Sequence, residues 1–463
     1  MRTAAMSMLP MLVRPRLAGL SGATRMPRFD LSKLRSLFAP GPPTPVIGVD
    51  FGTRTLKCLQ ISGAENPTML AAASLEVPDA LLSDSFKRLD WQMQQLPALL
   101  KKSGFVGRRA ACCVPTSMMF CKHLQLSLPE TDPGAVVAGS VAEQLVCDPK
   151  ALEVRHRIVA ATNAGRSEVL AMAVGRGLVQ RMLAGVKSAG LEMVALHPET
   201  LSMLRSFDPV TRRESDGEVT SLYLDIGASA TRVVIAHGKE PVFIKSIGIG
   251  GATLDALIRD QLRCTLTEAR AKRLAASAMT ARPADGEQAA RRPISGGATQ
   301  VAARTGSPAI DAAMESEASS GKVVGDALSE ASGEKESSPL TAVLERRSLA
   351  APSGFTQVSE IVNDKPVHEA VEGLADEVAM CVRYHSALFP GRRVERVYFV
   401  GGESACGDIA AFVARKLRLQ AHVADPLARI ARTSQIKTPG VDLAKPQPGW
   451  AAAVGLCCGP TDL

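Results

Sequence analysis

The sequence predicts an α/β protein built from two duplicated lobes, and three observations carry that expectation. A strand, a glycine turn and a second strand occur together twice. The first copy is VIGVDFGTRTLKCLQI from Val46, the second SLYLDIGASATRVVIA from Ser221. They align without a gap, so that Asp50 matches Asp225, Gly52 matches Gly227 and Lys57 matches Arg232. Each copy is followed, after a short turn, by another strand-like run. Late in the chain the strand VERVYFVGG opens into a helix at Gly401-Gly402. A duplication of this size means two similar domains, because solenoid repeats run to only about 20–50 residues.

Bulk properties are compatible with this plan. The chain has 463 residues, 46% of them apolar, enough for more than one core of ordinary size. Aromatics are only 4%, which argues against a base-stacking surface and so against nucleic acid as the main partner. Part of the +8 net charge sits at the N-terminus. The ten cysteines include the vicinal pairs Cys112-Cys113 and Cys457-Cys458 but no CxxC spacing, and read as reduced, small apolar residues. No window reaches the roughly 20 apolar residues that span a bilayer.

Residues 1–45 read as a basic tail. Its first 25 residues resemble a weak signal or transit peptide, but two prolines and an arginine interrupt the apolar patch, so a disordered tail is expected. Met26 is an alternative start. Within 29–38, Phe29, Leu31, Leu34, Leu37 and Phe38 fall mostly on one helical face. That short helix either seeks a membrane surface or packs on its own domain. APGPPTP then ends it.

The first lobe is expected over 46–205, with an extra subdomain at about 66–165. Val46–Val49, Leu56–Ser62 and Met69–Val77 are β-compatible runs separated by turn residues. Residues 84–103 read as a helix with a break near Pro97. RRAACCVP and CKHLQLSLP read as strands, and 131–146 as a helix opened by Thr131 or Asp132. EVLAMAVG is a buried strand, RGLVQRMLAGVKSAG a helix closed by Gly190, and LEMVALH a strand.

The second lobe is expected over 206–463. It opens with the second strand set, whose hairpin turns at HGKE. A helix over 253–262 follows, then one with a capping box from Thr265 and Glu268. From about 277 to 355 the chain is Ala, Ser, Gly, Glu and Arg with almost no large apolar residues. It cannot bury enough surface to offset its ordering entropy and reads as a disordered insertion. VHEAVEGLADEVAMCVRYHSALF is an amphipathic helix, ESACGDIAAFVARKLRL a helix and QAHVADPL a strand. The C-terminal helix is expected to return to the first lobe.

The glycine turns carry the chemistry. A polyphosphate needs several backbone N–H groups aimed at it, and a glycine turn supplies that concavity. It also needs a divalent cation, held directly or through water by a nearby carboxylate. Gly52, Thr53, Arg54, Thr55 and Lys57 would form one phosphate seat, with Asp50 toward Mg²⁺. Gly227, Ala228 and Ser229 would form the other, with Asp225. Gly401 and Gly402 would pack against a purine or ribose. A single Asp-x-Gly turn is often only a hairpin with a solvated acid. The specificity lies in two such turns plus the late Gly-Gly. There is no GxxxxGK[ST] loop and no GxGxxG after a strand.

This constellation resembles the actin-like ATPase superfamily and, within it, the type IV pilus assembly protein PilM family. VIGVDFGTRTLKCLQIS resembles that family's opening motif, and LYLDIGASATRVVIAHGKEPVFIKSIGIGGATLDALI its second phosphate motif. VERVYFVGGESACGDIAAFVARKLRLQAHVADPLARI resembles its adenosine motif. VGRRAACCVPTSMMFCKHLQLSLPETDPGAVVAGSVAEQLV is similar to its extra subdomain.

The resemblance implies two ribonuclease-H-like lobes and ATP or ADP with Mg²⁺ in the cleft. It implies a cytoplasmic protein, peripheral to the inner membrane at most. Such a protein docks the cytoplasmic N-terminal segment of a bitopic, PilN-like pilus protein and connects to the pilus motor ATPases. Two departures bear on activity. Where relatives carry Glu-Pro, with the glutamate orienting the attacking water, this chain has His197-Pro198, and Glu199 falls one residue beyond. A neutral histidine is a poor substitute, so hydrolysis is expected to be weak or absent. Glu403 stands where a third small residue is expected; an acid there would repel phosphate or contact ribose. Competing readings are a small-molecule kinase of this fold, the cytoplasmic domain of a type II secretion component, and an FtsA-like filament former. The last two would carry membrane helices that this sequence does not show.

Overall fold

The computed structural model describes residues 45–63, 66–161, 165–211, 214–280, 348–349, 365–433 and 435–459. The amphipathic helix expected over 29–38, the alternative start at Met26 and most of the 277–355 insertion lie outside these residues.

The first repeat folds as an antiparallel meander: β1 (Ile47–Phe51), β2 (Thr55–Ser62) and β3 (Thr68–Glu76). β1 is buried along its whole length, as a continuous apolar run requires. α1 (Ser85–Ser103) follows. The Asp84 carboxylate accepts from the Phe86 and Lys87 N–H groups at its start, and left-handed Gly104 stops it. The break expected near Pro97 does not occur: Leu96 and Leu99, on either side, are buried and hold the turn in the core.

β4 (Arg109–Val114) then runs parallel to β1. The chain leaves for a small α/β unit made of β5 (Phe120–Leu126), α2 (Pro133–Leu145), β6 (Leu152–Ala161) and β7 (Ser167–Gly175). Of the two candidate caps for α2, Asp132 does the capping, accepting from Ala135 N–H. The strands form a three-stranded sheet in the order β5-β7-β6. α3 (Arg176–Ser188) and β8 (Glu192–Pro198) return to the first sheet, and α4 (Glu199–Arg205) closes this half. The sheet order is β3-β2-β1-β4-β8.

The second half repeats this plan. β9 (Thr220–Ile226), β10 (Thr231–His237) and β11 (Glu240–Ile247) form a meander, followed by α5 (Gly251–Leu262) and α6 (Leu266–Thr280). The Thr265–Glu268 capping box is present, with reciprocal bonds of 2.8 and 3.2 Å. Within the insertion expected over 277–355, β12 (Ser348–Leu349) pairs with residues 421–422. α7 (Lys365–Leu388), β13 (Arg396–Val400), α8 (Gly407–Leu417), β14 (Gln420–Val423) and α9 (Ala451–Cys458) complete the chain. The second sheet runs β11-β10-β9-β13-β14-β12. Without β12, its order and strand directions match those of the first sheet: three antiparallel strands, then two parallel ones. The sequence duplication is thus a duplication of topology.

α9 lies against β1 and α4. A Cβ on Gly455 would sit 1.6 Å from the Ser202 carbonyl, and one on Gly48 would sit 2.8 Å from the Ala453 carbonyl. The last helix of the chain is therefore wedged into the first sheet's packing.

Candidate functional site

Both meanders end their first strand on an aspartate, and strand register decides what that aspartate meets. Asp50 lies opposite Lys57 on β2, and Asp225 lies opposite Arg232 on β10. Lys57 Nζ is 3.1 Å from Asp50 Oδ2, and Arg232 Nη1 is 2.9 Å from Asp225 Oδ2. The Cys113 thiol donates to Asp50 Oδ1 at 3.4 Å. Each buried carboxylate thus arrives with its own cation, which is how a charge survives at the end of a core strand.

A third carboxylate joins them. Glu199, the first residue of α4, accepts from Arg232 Nη2 at 2.9 Å and from the Thr116 N–H and hydroxyl at 3.0 Å. Burial pushes its carboxyl up, with Arg232 opposing. Burial alone would lower Arg232, but Glu199 and Asp225 raise it. His197 does not line the cleft: it sits in β8 opposite Cys113, near Gly459 at the end of α9. β8 ends at Pro198, and Glu199, at the start of α4, lines the cleft.

The two turns meet across the cleft. Thr53 Oγ1 and Ser229 Oγ are 3.1 Å apart. Gly52 has no room for a Cβ, which would lie 2.8 Å from the Thr55 carbonyl. Gly227 N–H closes the second turn on Ala230 O at 3.0 Å, and the Ala228 carbonyl accepts from Ala252 N–H at 2.7 Å. Gly401 has a φ of +90°, and a Cβ there would lie 2.3 Å from Asp225 Oδ1, so the late glycine turn is pressed against the second aspartate. Gly402 in turn packs against Gly449.

Two expected contact residues are otherwise engaged. Arg54 bridges the halves, with Nη1 3.2 Å from Asp79 Oδ1 and Nη2 3.2 Å from Asp255 Oδ2. Asp255 continues to Arg273 at 2.8 Å, and Arg273 to Glu403 at 2.8 Å. Glu403 is buried against Gly251, and its carboxylate is answered by Arg273. Arg54 and Glu403 line the cleft as the two ends of one ion-pair chain.

These groups enclose a cleft of about 820 Å³, within the usual range for small-molecule sites. Asp50, Gly52, Thr53, Arg54, Thr55, Lys57, Asp225, Gly227, Ala228, Gly401, Gly402 and Glu403 all line it; Ser229 reaches it through Thr53. Sequence reading missed Arg270 on α6 and the loop Gln447–Trp450 before α9. The Pro-Gly pair in KPQPGW marks that loop as a turn, but nothing in it points to a cleft.

The lining mixes charges: Arg54, Lys57, Arg232, Arg270 and Lys445 stand with Asp50, Glu76, Glu199, Asp225 and Glu403. Arg54, Arg232 and Arg270 each keep a buried guanidinium Nε–H with no acceptor among the described residues. Direct metal binding fits poorly, because both aspartates are cation-paired and no cluster of three or more metal-ligating side chains exists among the described residues. Contact with a nucleotide-bound magnesium through water is the form these aspartates can accommodate.

Two lobes of identical strand order, joined across a cleft by paired aspartate turns, define an actin-like ATPase fold. Comparison with protein families agrees. The model for type IV pilus assembly protein PilM matches residues 48–280, and that for cell division protein FtsA matches 222–455. The chain belongs to the type IV pilus assembly protein PilM family. Among solved structures, the PilM-PilN type IV pilus biogenesis complex is 15% identical. It covers 90% of this chain and 100% of its own, with a TM-score of 0.61. MreB5 of Spiroplasma citri bound to ADP is 10% identical, with 89% and 95% covered and a TM-score of 0.40. The ethanolamine utilization protein EutJ of Carboxydothermus hydrogenoformans is 14% identical, with 92% and 93% covered and a TM-score of 0.39. No curated protein matches the sequence.

Proposed function

We propose that this PilM-family protein is a nucleotide-responsive adaptor of the type IV pilus assembly platform. It would act in the cytoplasm, peripheral to the inner membrane, binding ATP or ADP with Mg²⁺ through water on Asp50 and Asp225. It would dock the cytoplasmic N-terminal segment of a bitopic, PilN-like protein and connect to the pilus motors. The observation that carries the nucleotide reading is the pair of aspartate–cation turns meeting at Thr53 and Ser229, beside three unsatisfied arginine donors. No helix of the described residues is long and apolar enough to cross a membrane.

The same geometry argues against a phosphotransferase. Asp50, Asp225, Glu199 and Glu403 are all ion-paired within the cleft, leaving none of them poised to take a proton from a substrate hydroxyl. Glu199 Oε2 already accepts three hydrogen bonds and its charge is shared with Arg232. Turnover is therefore expected near background.

One experiment addresses the adaptor reading. A labelled peptide of the partner's cytoplasmic N-terminus is titrated with this protein, without nucleotide and with saturating ATP and Mg²⁺, while phosphate release is followed. Binding that shifts several-fold with nucleotide, with no accelerated release, is expected. Nucleotide-independent binding, or robust release abolished by Glu199→Gln, would refute the reading.

A further inference from the structure

Nothing in the nucleotide cleft uses the opposite end of the first sheet. β1 reaches the cleft at Asp50, and Gln60 of β2 lies opposite Ile47 at its other end. The Gln60 side chain is fully buried and makes three hydrogen bonds. Its Nε2 donates to the Pro45 carbonyl at 2.8 Å and to the Val106 carbonyl at 2.7 Å. Its Oε1 accepts from Val106 N–H at 2.9 Å. Leaving a buried amide unpaired is costly, so the loop between α1 and β4 is fastened at Val106. Yet the Val106 side chain is 59% exposed. The fold holds an apolar side chain out in solvent on a firm support.

Cations surround that tip. Lys101 and Lys102 lie in the last turn of α1, and Lys187 in the last turn of α3. Arg108 Nε donates to the Gly190 carbonyl at 2.8 Å, and Gly190 N–H to the Lys187 carbonyl at 2.9 Å, which brings the end of α3 beside the loop. All four cations are exposed. The ion pairs of these two helices lie elsewhere, at Lys87–Asp84 and Arg181–Asp90. Against the cations stands Glu192, whose N–H donates to the Arg108 carbonyl at 2.7 Å. Cations in the last turn of a helix are ordinary, because they complement its macrodipole. An exposed valine clamped among them is not.

The chain also enters the described fold at this point. Pro45 is the first described residue, and Gln60 ties it to Val106. Residues 1–44 carry seven Lys and Arg against one acid, which accounts for six of the eight net positive charges. Positive charge is therefore concentrated on both the corner and the segment that leads into it.

We propose that this corner is a contact surface for an anionic lipid bilayer. Val106 enters the boundary between headgroups and acyl chains, while Lys101, Lys102, Arg108 and Lys187 stand over anionic headgroups. A nucleic acid would answer the cations but not the exposed valine. In this orientation the nucleotide cleft, at the other end of β1, faces away from the bilayer. The contact goes beyond docking through a partner protein, since the chain itself touches lipid, and it depends on neither nucleotide nor partner.

The test is flotation of the full-length protein with vesicles of phosphatidylcholine, alone or mixed with phosphatidylglycerol, at low and at physiological salt. The protein should float with the mixed vesicles and not with the neutral ones, and the bound fraction should fall as salt rises. The lipid concentration for half-binding should rise at least tenfold in Lys101→Glu/Lys102→Glu and about tenfold in Val106→Asp. All three side chains are exposed, so both variants should keep the wild-type thermal midpoint, measured in parallel. Equal flotation with neutral vesicles, no flotation at either salt, or wild-type affinity in either variant would overturn the proposal. Binding of a DNA duplex without flotation would assign the cations to a nucleic acid and overturn it as well. Partner-peptide and nucleotide titrations read other surfaces, so failure here leaves the adaptor reading standing.

Discussion

Arg232 holds the second half of the cleft together. It answers two buried carboxylates, Asp225 and Glu199, from one strand position. Replacing it with methionine keeps the volume but leaves both acids without their cation. Breaking a buried pair from one side costs about 3–5 kcal/mol, so Arg232→Met should lower the unfolding free energy obtained from urea titration by that amount. Adding Glu199→Gln should restore part of the loss; no recovery would show that the pairing does not set the cost. At this scale the sequence was legible where residue type implies chemistry. Asp50 with Lys57 and Asp225 with Arg232 were visible as a repeated pattern, and register then brought each pair into contact. Arg54 and Glu403 were visible as residues but not as partners, because the chain linking them passes through Asp255 and Arg273 on two other helices.

Among the elements, strands and helices with strong periodicity were read to within a few residues. The misses have physical causes. β6 carries charges along a half-exposed face, LEVRHRIVAA, and so lacks the apolar run that marks a strand. β12 is two residues long and exists only through pairing with β14. Two predictions belong to this scale. Gly455 of α9 faces the Ser202 carbonyl of α4 with no room for a methyl group. Gly455→Ala should therefore cost about 3 kcal/mol or more in thermal or urea unfolding; a loss under 0.5 kcal/mol would mean the helices do not pack this closely. His237 on β10 and His385 on α7 share a 2.9 Å Nε2–Nε2 contact. Burial, with Arg392 nearby, lowers both to about 4. The unfolded chain titrates near pH 6.5, so between 6.5 and 4 it binds more protons than the folded one. Stability should then fall as pH falls through that window, by at most about 1.4 kcal/mol per pH unit for each histidine. The His237→Gln/His385→Leu variant should show a shallower slope, and an unchanged slope would remove the pair from the acid response.

At the scale of the molecule, the two halves are joined around the cleft by Thr53–Ser229, by Arg54–Asp255 and by α9 lying on the first sheet. A ligand seated between the turns therefore contacts both halves at once and can bias their closure, which is what a nucleotide-responsive adaptor requires. The duplication made this architecture legible in the sequence. The most direct test of the central reading is isothermal titration of the full-length protein with ATP, with and without Mg²⁺, in the wild type, Gly227→Val and Asp50→Asn. Binding near one site per chain is expected in the wild type, at least tenfold weaker in Gly227→Val. The strengthening by Mg²⁺ should shrink about tenfold in Asp50→Asn, as loss of one charge-assisted contact implies. No heat in the wild type at millimolar ATP, or equal affinity in all three proteins, would contradict it.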